Sequence, residues 1–177
     1  MKTHCKIELP NLQEIVKILN KKVVVDTSKE WLFDKSQKEV LMDVPELWED
    51  LKIFGAVKDK LSYAAIVMAK SVFGPHRDHL DKQVALNIPL RNCENTHLVF
   101  YETLENVKSV KNNLPSDPDG TYFEYKHSQL KEIGRINYVN TAIAFRVDAI
   151  HDVIGALDEH PRITVSMRFK DKITFGL

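Results

Sequence analysis

Cysteine is nearly absent: Cys5 and Cys93 are the only two among 177 residues. Two thiols close one disulfide at most, so a disulfide framework is excluded and two reduced thiols are expected. Glycine is also sparse. Its six copies stand singly at 55, 74, 120, 134, 155 and 176, which rules out a glycine-rich phosphate loop or dinucleotide fingerprint. Neither sign of charge is in surplus, with 25 basic against 25 acidic side chains. A generic pull toward nucleic acid or anionic membranes needs a basic excess that this chain lacks, although a local patch is compatible with neutrality. No apolar run is long enough to span a bilayer, and the opening Met1-Lys2-Thr3-His4-Cys5-Lys6 has no apolar signal core. The expectation is a soluble, cytoplasmic protein without a membrane partner. Internal repeats and low-complexity tracts are missing too.

What is present is ordinary globular material, 44% hydrophobic and 28% charged. The length predicts one domain over 1–177, large enough to bury a core without staples. Residues 11–20 place Leu12, Ile15, Val16 and Leu19 at helical spacing behind Pro10 and Asn11. After Pro45, Leu47, Trp48, Leu51 and Phe54 mark the buried face of a second helix. From about residue 61 the pattern changes to short β-like runs: 63–70, 84–90, 97–101, 122–125, 129–136, 141–147, 151–154 and 162–170. Residues 112–120, rich in Pro, Asp and Gly, read as a surface loop. The fold class expected is mainly β with N-terminal helices. Residues 1–60 would be mostly helical support, and 61–177 a jelly-roll core.

Strand parity sharpens this. Along 162–170, Ile163, Val165, Met167 and Phe169 share one face, while Arg162, Thr164, Ser166 and Arg168 share the other. Such a strand suits an apolar face under helices and a polar face toward a cavity. In 141–147, Thr141, Ile143, Phe145 and Val147 share one face and Ala142 and Ala144 the other. The two alanines are expected to leave room inside.

Three residues carry the chemistry. His76 and Asp78 are two apart, so on an extended segment both side chains reach one point. His151 can supply a third ligand from elsewhere in the fold. Two imidazoles and one carboxylate on one octahedral face leave three positions open, the arrangement of non-haem Fe(II) oxygenases. Arg162 follows His151 by eleven positions and opens the last strand. Its guanidinium is a planar fork suited to a carboxylate. Taken singly, each residue reads more simply as a surface histidine, a loop carboxylate or an ion-pair partner. The ordered set is what argues for a metal. His76-Arg77-Asp78 is no kinase catalytic loop: Gln83 stands where that pattern needs Asn, and neither a Gly-rich loop nor Asp-Phe-Gly is present.

The stretches PHRDHLDKQVALNIPL, NTAIAFRVDAIHDV and PRITVSMRF resemble the 2-oxoglutarate- and Fe(II)-dependent dioxygenases, particularly small single-domain bacterial and phage members. The resemblance covers about residues 63–170 and leaves out the N-terminal helices. It implies a double-stranded β-helix (a cupin-like jelly roll) with Fe(II) held by His76, Asp78 and His151. It implies that Arg162 binds the distal carboxylate of the cosubstrate 2-oxoglutarate, with a hydroxyl from Thr164 or Ser166. The family often has Arg-x-Ser; here Thr164 stands at the matching position. Tyr63 and Asn87, on earlier strands, are further candidates to line that pocket. The implied reaction consumes O2, releases succinate and CO2, and hydroxylates a prime substrate. No catalytic residue beyond the metal site is expected.

The prime substrate is not legible. Amino acids, peptides and protein side chains are favoured over nucleic acid by the neutral charge, and selection is expected from 103–121 and the N-terminal region. His79 should be exposed or support the motif. His97 and His127 show no partner in the sequence, Arg77 and Arg91 could reach substrate, and Trp31 and Trp48 read as packing. A non-catalytic jelly-roll module binding a metal or small ligand is the alternative. A zinc hydrolase with the same ligands would leave Arg162 unexplained.

Overall fold

The alternating runs condense into two antiparallel six-stranded sheets in a computed structural model of the chain. The structure describes residues 2–78, 84–104, 107–114, 117–155, 160–170, 173 and 175–177, with backbone alone for 114 and 117–120. Strands and helices follow in order: β1 (His4–Ile7), α1 (Leu12–Lys22), β2 (Trp31–Asp34), α2 (Lys38–Met42), α3 (Pro45–Lys52) and β3 (Leu61–Ala69). The rest is β: β4 (His76–Asp78), β5 (Val84–Arg91), β6 (Thr96–Thr103), β7 (Val110–Leu114), β8 (Asp117–Glu124), β9 (Leu130–Asn137), β10 (Ala142–Arg146), β11 (Ile150–Gly155) and β12 (Arg162–Phe169). The first sheet runs β1-β10-β5-β12-β3-β2 and the second β7-β8-β4-β11-β6-β9.

The helices cover the outer face of the first sheet. Leu12, Ile15 and Leu19 of α1 and Leu47 and Leu51 of α3 share a core with Ile163, Val165, Met167 and Phe169 of β12. Each such side chain contributes about 1.5–3 kcal/mol on burial. Trp48 packs there and donates from Nε1 to the Leu41 carbonyl at 2.9 Å. A smaller core fills the space between the sheets, where Ala85, Leu98, Phe100, Ile143 and Phe145 meet Tyr138. The apolar face of β12 therefore lies under the helices, as its alternation predicts.

Three expectations need correction. Ala142 and Ala144 belong to the helix-side core and Ile143 and Phe145 point between the sheets. The small residues thus let the helical layer approach rather than open the interior. Residues 112–120 are not simply a loop: β7 and β8 pair across them, Asn112 with Tyr122 and Asn113 with Thr121. Alternating backbone pairing outweighs the turn-forming composition, and only 115–116 fall outside the described residues. The first sixty residues also supply strands. β1 and β2 extend the two edges of the first sheet, pairing with β10 and β3.

Candidate metal and anion site

β4 is a short strand, held at its end by the Asp78 amide donating to the Val147 carbonyl at 2.9 Å. Its pleat sends His76 and Asp78 to the inner side. β11 lies alongside with His151 directly opposite His76. One ligand atom from each of His76, Asp78 and His151 lies within 4.8 Å of the other two. His76 Nε2 is 3.9 Å from Asp78 Oδ1, and the two imidazole centroids are 4.4 Å apart.

The far side of each ring is anchored. His76 Nδ1 is 2.8 Å from the Gly74 carbonyl, and His151 Nδ1 is 2.9 Å from the Ala149 carbonyl. A carbonyl only accepts, so each Nδ1 carries the proton and each Nε2 presents its lone pair. Gly74 reaches the required turn at φ +96°, a region open to glycine without strain. Burial first, then His76, pushes His151 down to about 4, so its imidazole is neutral near pH 7. For Asp78, burial pushes the carboxyl up, but His151, Arg168 and His76 together hold it below the usual value. Two imidazoles and one carboxylate fit a divalent cation, and this donor set is that of non-haem iron sites.

Arg168 completes the cluster, and sequence reasoning gave it no role. Its Nη2 donates to Asp78 Oδ2 at 3.1 Å, while Nη1 donates to Ser166 Oγ at 2.7 Å. Its guanidinium carbon lies 5.7 Å from the centre of the Tyr63 ring. The available signal was parity, since Arg168 shares a face with Arg162.

Arg162, at the other end of β12, is 4% exposed. It forms no ion pair among the described residues, and its Nε is buried without a partner. Tyr138 lies against it, the guanidinium carbon 5.8 Å from the ring centre. Burial pushes the Tyr138 phenol up, and the Arg162 charge opposes that. Asn87 Nδ2 donates to the Tyr138 hydroxyl at 3.2 Å, leaving Asn87 Oδ1 buried and unpartnered. Asn87 sits opposite Ser166 in the β5–β12 register. Thr164, 1% exposed, makes no side-chain hydrogen bond among the described residues. Tyr138, in the turn after β9, carried no periodic signal that could have pointed to it.

The other candidates fall elsewhere. His79 lies outside the described residues. Arg91 is tied to Asn20 through Nε–Oδ1 and Nη2–O contacts of 2.8 Å each. Its role is to fasten α1 to β5. His97 meets Asn137 Nδ2 at 3.3 Å, and His127 Nε2 is 3.7 Å from Asp152; both histidines therefore have partners the sequence did not reveal. Trp31 packs edge-on against Phe73. The Cys93 thiol is buried, and that burial pushes it up to about 11.

No family model matches the sequence, and no curated protein matches it. Solved structures do. AviO1 from Streptomyces viridochromogenes Tue57 is 10% identical over 96% of this chain and 90% of its own, with a TM-score of 0.51. The epimerase SnoN, solved with Fe3+, alpha ketoglutarate and nogalamycin RO, is 9% identical over 96% of this chain and 79% of its own, also at 0.51. E. coli ycfD aligns over 84% of this chain but only 37% of its own length, at 11% identity and a TM-score of 0.45, too distant to bear on the argument. At such identities the likeness concerns the fold. No helix among the described residues is long and apolar enough to cross a membrane.

Proposed function

We propose that this chain is a 2-oxoglutarate- and Fe(II)-dependent dioxygenase, a hydroxylase built on a double-stranded β-helix. The observation that carries the reading is a pairing. A His-Asp-His cluster on β4 and β11 is accompanied by Arg162 on the polar face of β12, a buried guanidinium with no ion pair among the described residues. A buried cation without a counter-charge is costly, and a cosubstrate carboxylate would remove that cost. The alpha ketoglutarate and iron in SnoN agree with this reading.

His76, Asp78 and His151 would hold the iron. Arg162 would bind the distal carboxylate of 2-oxoglutarate in bidentate fashion. Thr164 has its hydroxyl uncommitted and stands beside Arg162, so it is assigned the second contact to that carboxylate. Ser166 already accepts from Arg168 and is assigned to holding that arginine. Asn87 and Tyr138 back Arg162 from the next strand and the turn after β9. Tyr63 supports Arg168 through its ring. Iron, 2-oxoglutarate and O2, when bound, supply the oxidation, which yields succinate, CO2 and a hydroxylated product. The chain's residues keep both ends of the cosubstrate aligned, present the metal face and exclude bulk water from it. The prime substrate is proposed among amino acids, peptides and protein side chains.

Anaerobic addition of Fe(II) and 2-oxoglutarate should produce a weak visible charge-transfer band that is missing in His151→Ala. Succinate should then form under air. A folded protein with no band, or a band that survives in His151→Ala, would count against the assignment. Band without succinate, across candidate substrates, would favour a binding module.

A further inference from the structure

On the reverse side of the second sheet, away from the metal ligands, lies an open cleft of about 840 Å3. That is within the range of small-molecule sites. Arg77 reaches it from β4. Being one position from both His76 and Asp78, it points to the opposite face of the sheet. Its guanidinium carbon stacks 4.7 Å from the Phe123 ring centre, and its Nε is buried without a partner.

The cleft holds one other arginine and one carboxylate among its described lining residues. Arg146 Nε donates to Asp148 Oδ1 at 2.9 Å, and Arg146 Nη2 pairs with Asp148 Oδ2. Asp148 feels the charge of Arg77, but both its oxygens are committed to Arg146. Among the described lining residues two guanidiniums thus face one carboxylate, and that carboxylate is committed to Arg146 and not to Arg77. The same cleft is lined by the hydroxyl-bearing residues Thr3, Thr103 and Ser109 and by Tyr101 and Tyr125. A positive fork in a cleft with hydroxyl-bearing walls fits an oxyanion on a hydroxylated small molecule.

We propose that this cleft is a second ligand site, distinct from the metal cavity, which takes a small molecule bearing a phosphate or carboxylate group. It backs directly onto the metal cluster. Arg77 stands between two proposed ligands, and Ala149, whose carbonyl holds His151 Nδ1, lines the cleft. An occupant would press on the supports of the metal site from behind.

The test uses metal-free, isotopically labelled full-length protein, titrated in one arm with inorganic phosphate and in the other with acetate, at constant ionic strength. Amide shifts should appear at Arg77, Tyr101, Ala149 and Ile150. Arg77→Gln should weaken the response by about tenfold, the size of one charge-assisted contact. Ser109→Asp, an exposed change that leaves Arg77 and its packing in place, should weaken it too, and Ser109→Lys should tighten it. A response to phosphate alone makes the occupant a phosphorylated molecule; a response to acetate alone makes it a carboxylate. Silence in the cleft amides at tens of millimolar of both anions overturns the proposal, as does a response that ignores both Ser109 charges and Arg77→Gln. Shifts confined to Thr164 and Ser166 would report the cavity beside Arg162, so failure here leaves the oxygenase reading untouched.

Discussion

Arg168→Met should separate what the Arg168–Asp78 contact does for folding from what it does for the metal. The two side chains are 10% and 23% exposed and 3.1 Å apart. Unit charges at that distance attract by about 5 kcal/mol at an effective dielectric near 20. Part of that returns when the arginine no longer has to be desolvated, and the residual exposure of Asp78 screens more. Breaking a fully buried pair costs about 3–5 kcal/mol; here the expected loss is about 2–3 kcal/mol in metal-free protein. A divalent cation at Asp78 replaces the lost positive charge. With saturating Mn(II), the same substitution should cost about 1 kcal/mol. Linkage then requires Mn(II) to bind Arg168→Met about tenfold more tightly than the parent, because the two differences are one coupling free energy. Urea unfolding with and without Mn(II) measures the first pair of values, and calorimetric titration the second. An equal loss in both conditions, or no loss in metal-free protein, would refute the idea that Arg168 serves as the counter-charge of Asp78 in metal-free protein. Arg168→Lys should fall between, keeping the charge but losing the fork that also reaches Ser166.

Arg162→Leu should leave Mn(II) binding intact while weakening 2-oxoglutarate at least thirtyfold, consistent with the roughly 2–5 kcal/mol of a buried charged contact; unchanged 2-oxoglutarate affinity would exclude Arg162 as the anchor. Gly155→Ala should cost roughly 3 kcal/mol or more in thermal or urea unfolding, since φ is +132° and an added Cβ would sit 2.1 Å from the Asn95 carbonyl oxygen. Asp152 is fully buried, with neither oxygen hydrogen-bonded and the His127 Nε2 3.7 Å away. Burial raises its pKa above the ordinary 3.8. Between 3.8 and that raised value the native state holds the extra proton, so its contribution to stability falls as pH rises through the window. Asp152→Asn should remove that fall and gain about 1 kcal/mol at pH 7, and a variant-minus-parent stability difference that does not grow as pH rises through the window would contradict the assignment.

What could be read in the sequence was what is local. The two-residue spacing of His76 and Asp78 needs only an extended backbone to aim both side chains together, and β4 provides it. The alternation of β12 likewise sorted its apolar from its polar residues. Alternation, however, says which residues share a face and not which layer that face meets. That is why Ala142 and Ala144 were assigned to the interior although they lie under the helices. Hairpin β7–β8 was hidden because Pro, Asp and Gly dominate 112–120, while the pairing that makes it a strand comes from partners such as Tyr122. The Arg168–Asp78 bond joins residues 90 positions apart, a distance over which no periodicity speaks. The Nδ1 anchors depend on backbone carbonyls, which sequence does not display at all.

The position of β12 explains why so many charged residues can stand in one strand. It lies between β3 and β5, so its backbone is bonded on both sides, and every second residue is held by the helix-side core. The alternate residues are then free to be chosen for chemistry. Along that polar face Arg168 has its partners in Asp78 and Ser166, and Tyr138 has its partner in Asn87. The nitrogen and oxygen atoms left over are Arg162 Nε, Arg168 Nε and Asn87 Oδ1. Buried polar atoms without partners are rare in native proteins because each costs about 1–3 kcal/mol. Two guanidinium donors left wanting, at the two ends of one strand face, describe an elongated acceptor-rich molecule better than a single ion. Under the function proposed above, a dicarboxylate would be such a molecule and would answer the donor at Arg162, which metal binding alone would not.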